Sequence, residues 1–164
     1  MKTPRHLLAW ILCLTMSPLT FASSVEIDVH LPEFTGSMIY RPYVAVWIED
    51  AQGNNVATVS VWRKEPDWLK DMRRWWRKAG RYDQGELDAV TSATRRPGIH
   101  TVVWNATDQQ GNPVPPGTYA VNIEAAREHG SRSLVRQEIQ LGTEQTFTTE
   151  AAEELGSMTI RVIR

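Results

Sequence analysis

Residues 25–31 read VEIDVHL, and their two-residue alternation decides the fold class. Val25, Ile27, Val29 and Leu31 fall on one side of an extended chain, and Glu26, Asp28 and His30 on the other. That is the pattern of a strand with one face in a core and one in water. Outward from it, YVAVWIED (43–50) and VATVSVW (56–62) flank AQGNN (51–55). The Gly53-Asn54 centre of that stretch supplies the positive-φ residues a hairpin turn needs, so the two strands are expected to pair antiparallel. Further strands are expected at IHTVVW (99–104), TYAVNIEA (118–125), SLVRQEIQL (133–141) and SMTIRVI (157–163). No helix long enough to cross between parallel strands separates these late segments. The expected fold is therefore all-β, with antiparallel sheets stacked as a sandwich.

Two segments refine this expectation. In WNATDQQGNPVPPGTY (104–119), Trp104 and Tyr119 can fill the sandwich, Gly111 and Gly117 can take backbone angles other residues avoid, and Pro113, Pro115 and Pro116 prevent the connection from pairing as an edge. The segment PDWLKDMRRWWRKAG (66–80) reads as one amphipathic helix inserted at about residues 66–79, with Pro66 in its first turn and Gly80 at its C-cap. Trp68, Leu69, Met72, Trp75, Trp76 and Ala79 form its apolar stripe, and Lys70, Arg73, Arg74, Arg77 and Lys78 its basic face. The stripe suits packing on the sandwich, and also stacking on a flavin ring, contact with a membrane surface or a partner interface. Exposed together, Trp68, Met72, Trp75, Trp76 and Ala79 would make a large adhesive patch, so Trp68 and Trp75 are expected to be buried. Trp76, with Arg73 and Arg77, is left as the partner-binding edge.

Composition bounds the function classes. Residues 1–22 combine a basic start (Lys2, Arg5, His6), the apolar run LLAWILCL and a small-residue end at Ala22, the pattern of a secretory signal cleaved after Ala22. Residues 23–164 are expected to form one exported, periplasmic domain. The single cysteine, Cys13, lies inside the apolar run and lacks the small residues of a lipoprotein cleavage pattern before it. The mature domain is therefore expected to fold without disulfides. No later stretch reaches the roughly 18 to 20 apolar residues a membrane-crossing helix requires. The 18 basic residues are balanced by 19 acidic ones, so there is no global pull toward nucleic acid. His30, His100 and His129 are scattered and show no metal-ligand spacing, and no nucleophile elbow, GxGxxG or phosphate loop occurs. Hydrolytic and nucleotide-dependent chemistry are unsupported.

DAVTSAT (88–94) resembles the acceptor motif at which FAD:protein FMN transferases attach flavin. The pattern is an Asp, two loose positions, a small hydroxyl residue, Gly or Ser, Ala, and a Thr or Ser that forms the phosphoester. Asp88, Thr91, Ser92, Ala93 and Thr94 match it. The resemblance implies covalent FMN on Thr94 and recognition of Asp88 by the transferase. Arg95 and Arg96 follow the acceptor, where smaller residues are usual, and could pair with the FMN phosphate or obstruct the transferase. By itself the stretch also reads as a polar turn before a strand.

The 104–119 segment resembles the Ig-like module of flagellar hook-capping proteins. Together RPYVAVWIED, the Trp-rich helix, DAVTSATRRPG, this segment and EAAREHG resemble a family of uncharacterised predicted periplasmic proteins encoded near PepSY-type membrane proteins and FAD:protein FMN transferases. The resemblance implies an Ig-like antiparallel β-sandwich with one inserted helix. It also implies a flavinylated electron carrier serving a membrane redox partner, without a substrate pocket of its own. The alternative is a cofactor-free periplasmic accessory or binding module. The REHG stretch with Arg127 and His129 fits either a functional site or a polar hairpin end.

Overall fold

The computed structural model describes residues 23–36, 39–82 and 87–164, so the expected leader at 1–22 lies outside the described residues. Among them run nine strands: β1 (Ser24–Leu31), β2 (Tyr43–Asp50), β3 (Asn55–Trp62), β4 (Thr91–Ser92), β5 (Gly98–Trp104), β6 (Gly117–Ala126), β7 (Arg132–Leu141), β8 (Gln145–Thr148) and β9 (Thr159–Ile163). They form two sheets, one in the order β5-β1-β9-β8 and the other β4-β3-β2-β6-β7. The fold is an all-β sandwich.

The alternation in β1 survives intact. Val25, Ile27, Val29 and Leu31 are buried, and they meet Val44, Val46, Ile48, Val121 and Ile123 of the opposite sheet in one core. Trp104 and Tyr119 close that core with their rings edge to face at 5.5 Å. Gly111 and Gly117 have φ of 83° and 156°. In the β2–β3 turn only Gly53 is left-handed, at 79°. Asn54 is not; it is held instead by the Asp50 carboxylate, which accepts its backbone N–H at 2.8 Å and that of Gln52 at 2.9 Å.

The structure corrects three expectations. Pairing is antiparallel except between β3 and β4, which run parallel with Val61 opposite Thr91 and Trp62 opposite Ser92. Strand β8, too polar to stand out in the sequence, pairs with β9. The single helix over 66–79 is in fact three short pieces: a 3-10 helix (Pro66–Asp71), one α-helical turn (Arg73–Trp75) and a π-helical turn (Trp76–Gly80). The break falls at Met72, whose ψ of 71° leaves the helical region. It frees the amides of Arg74 and Trp75 to meet a buried carboxylate from β6, a partner that periodicity cannot reveal. Gly80 is not a left-handed cap. A Cβ there would lie 2.7 Å from Cζ3 of Trp75 and 2.9 Å from Cε3 of Trp76, so the bare backbone is what fits over the two rings.

The helical pieces make a third layer. Leu69, Met72, Trp75 and Ala79 pack on Tyr43, Ala45, Trp47 and Val61 on the outer face of the five-stranded sheet, which explains why β2 is buried on both faces. Trp75 is fully buried, whereas Trp68, expected in the core, is only half-buried and sets its ring edge to face with His129 at 6.2 Å. Trp68 stays at the margin of the layer, partly buried against the cluster that Leu69 enters fully.

Candidate functional site

The DAVTSAT stretch is more structured than a free turn. Leu87 to Val90 make a single helical turn whose buried Leu87 and half-buried Val90 join the core under the helical layer. The Thr91 hydroxyl donates to the Leu87 carbonyl. Ser92 then pairs with the end of β3, its carbonyl accepting the Arg63 amide at 2.8 Å. Four residues on, the Arg96 carbonyl lies 2.8 Å from Nε2 of His100. A carbonyl only accepts, so Nε2 carries the proton there. Thr94 thus sits half-buried in a short bracket pinned at Ser92 and at Arg96, with Ala93 and both arginines exposed.

The bracket lies against aromatic and cationic groups. The Arg95 guanidinium lies over the Trp62 ring at 5.6 Å and reaches the Ser92 hydroxyl at 3.4 Å. His100 meets Trp62 edge to face at 5.5 Å. Asp88 stands apart on the surface: its side chain is 83% exposed, and its closest cation is the Arg63 guanidinium at 3.7 Å. The structure brings Thr91, Ser92, Thr94, Arg95 and Arg96 into one loop. It also adds Trp62, Arg63 and His100, which the sequence does not mark, because their strands approach only in the folded sheets.

A second feature is the basic face. Lys70, Arg73, Arg74, Trp76, Arg77, Arg132 and Leu134 line a shallow cleft between the helical layer and β7. Two of its cations are neutralised from below. Nη2 of Arg74 donates to both carboxylate oxygens of fully buried Glu49, at 2.8 and 3.2 Å, and Arg132 pairs with fully buried Glu124. Lys70, Arg73 and Arg77 form no ion pair among the described residues, and Arg77 donates only to the Arg73 carbonyl at 3.1 Å. The cleft therefore carries uncompensated positive charge beside the half-buried Trp76.

The REHG hairpin end is structural. Arg127 forms a bidentate pair with buried Glu154, which also accepts the Ser131 amide at 3.0 Å, and stacks over Phe34 at 4.0 Å. His129, left-handed at φ 55°, lies beside Tyr40 and Trp68. The three histidines do not converge, and among the described residues no cluster of His, Cys, Asp and Glu could hold a metal ion. Nor is any helix among them long and apolar enough to cross a membrane.

A family model described as "Predicted periplasmic protein (DUF2271)" matches residues 24–157. The chain belongs to this family. The DUF2271 match begins with β1, takes in both candidate features and stops short of β9. The protein is periplasmic, as its leader-like first residues imply. No curated protein and no solved structure matches the chain.

Proposed function

We propose that this periplasmic DUF2271 protein is a flavin carrier with FMN joined to Thr94 by an FAD:protein FMN transferase. The observation that carries the reading is the agreement of Asp88, Thr91, Ser92, Ala93 and Thr94 with the acceptor pattern, on a surface loop held at both ends. In the transfer, the Thr94 oxygen bonds to the FMN phosphorus, the pyrophosphate bond of FAD breaks, AMP leaves and the hydroxyl proton passes to the transferase. The residues around Thr94 suit such a group. Arg95 and Arg96 offer cations to a phosphodiester, and Trp62 and His100 offer aromatic surface. When bound, FMN supplies the redox chemistry. The protein's own residues place it, set the charge beside it and limit water around it. A membrane redox protein of the PepSY type would be its electron partner, as the resemblance of DAVTSAT and the segments around it implies.

The unpaired charge of Lys70, Arg73 and Arg77 beside Trp76 favours a binding role for the helical layer as well, and it would remain if Thr94 were never modified. It supports the rival reading of a cofactor-free accessory module.

Coexpression with a matching transferase separates the two. The flavin reading expects fluorescence that survives denaturing electrophoresis and a mass increase of one FMN phosphoester, both lost in Thr94→Ala. Recovery of the bare mature chain alone, from periplasm containing active transferase, overturns it.

A further inference from the structure

The exposed strand edges of the sandwich differ in how they are protected. β4 has two residues and β8 has four. β7 is long but carries Arg132, Arg136 and Glu138. The part of β3 beyond β4 is closed by Gln109, whose amide donates to the Val56 carbonyl at 3.0 Å and whose side chain accepts the Thr58 amide at 2.8 Å. Short length, charge and a covering loop are the usual devices that keep a strand edge from pairing with another chain.

β5 has none of them along its own length, and only the Arg95 side chain reaches the cleft beside it. Its seven residues, GIHTVVW, include no Lys, Arg, Asp, Glu or Pro, and its register against β1 runs unbroken from Gly98 to Trp104. The edge facing away from β1 forms no backbone hydrogen bond to another strand among the described residues. Along that edge runs a shallow cleft walled by Val59, Ser60 and Trp62 of β3, with the Arg95 side chain at its Gly98 end. Ile99 and Val103, 68% and 46% exposed, are two of the few large apolar side chains on the surface, and both stand on the solvent face of β5.

We propose that β5 pairs antiparallel with β5 of a second copy about a two-fold axis through Thr101, joining their four-stranded sheets into one. The sequence is self-complementary in this register. Thr101 faces Thr101, and each Ile99 faces the partner copy's Val103, giving two β-branched pairs on one face; such cross-strand pairs stabilise a sheet. A two-fold axis requires this matching of a patch to itself. The inference does not rest on the flavin reading.

Sedimentation of the periplasmic chain over a concentration series tests it. The expected result is a monomer–dimer equilibrium, with the double variant Ile99→Lys, Val103→Lys raising the dissociation constant at least about tenfold. Both positions are exposed, so an unchanged circular dichroism melt in dilute solution confirms that this variant is folded. Under mild oxidation Thr101→Cys should cross-link to itself, whereas Thr148→Cys on β8 should not. A chain monomeric at every concentration overturns the proposal, and that is also the result if this edge serves a different protein's strand. A dimer whose dissociation constant the lysines leave unchanged, or one cross-linked through β8 in preference to β5, overturns it too.

Discussion

The backbone amide of Trp75 donates to the fully buried carboxylate of Glu124 at 2.8 Å, across 49 positions of sequence. The Arg74 amide joins it at 3.1 Å and the Arg132 guanidinium closes the set, so a side chain from β6 caps a helical turn that has no cap of its own. The carboxylate thereby fixes where the helical segment breaks and which indole enters the core.

Glu124→Ala should accordingly be among the most damaging substitutions outside the main core. It leaves two amides and a guanidinium without their anion, and loss of one partner of a buried ion pair costs about 3–5 kcal/mol. Urea unfolding checks this, and Glu124→Gln, which keeps an acceptor oxygen, should lose less.

Trp75 and Trp76 are adjacent in sequence and should separate in effect. Trp75 is fully buried with its indole N–H donating to Thr58 at 3.2 Å, so Trp75→Ala should cost about 3–5 kcal/mol. Trp76 is half-buried at the basic cleft, and Trp76→Ala should cost clearly less in the same thermal melts. Equal losses would place both rings in the core.

Gly80→Ala sets two effects against each other. Helix propensity favours Ala by about 1 kcal/mol, while forcing an atom into a filled site costs about 1–3 kcal/mol. The added Cβ would meet two indole rings at 2.7 to 2.9 Å, and Trp75 is fully buried and cannot yield. The variant should be less stable than the parent, with a lower melting temperature.

Asp88→Ala should leave stability within about 0.5 kcal/mol, because an exposed carboxylate 3.7 Å from Arg63 contributes little. Flavin labelling by the transferase should fall in the same variant. Labelling equal to the parent would reduce Asp88 to an ordinary loop residue.

Stability at low pH should depend on Asp28. The Thr101 hydroxyl, donating at 2.7 Å, and then the Arg161 guanidinium at 2.8 Å hold its carboxyl below the ordinary value of 3.8, despite the opposing effect of burial. The folded state therefore favours the carboxylate. Its contribution is complete above the ordinary carboxylate pKa of about 4 and is lost as pH falls through the lowered value. Asp28→Asn should flatten the loss of stability in that window, as read by unfolding at a series of acidic pH values.

The sequence by itself determined the strand faces. Alternation in β1, the turn at Gly53, the Trp104–Tyr119 pair and the left-handed Gly111 and Gly117 all follow from contacts within about fifteen residues or from the two-residue period of a strand, and all stand in the fold. It also marked the acceptor-like residues 88–94, since a motif is local. Only the tertiary structure decided the rest. The break at Met72, the half-exposure of Trp68 and the burial of Glu49, Glu124 and Glu154 depend on which distant strand lies beneath each residue. A carboxylate reads as solvent-facing in a sequence because burying it alone is too costly. Its cations and amides, brought from positions 8 to 50 residues away, are what make the burial possible. The pinning of the Thr94 bracket by Arg63 and His100 arises in the same way, from β3 and β5 meeting at one corner of the sandwich.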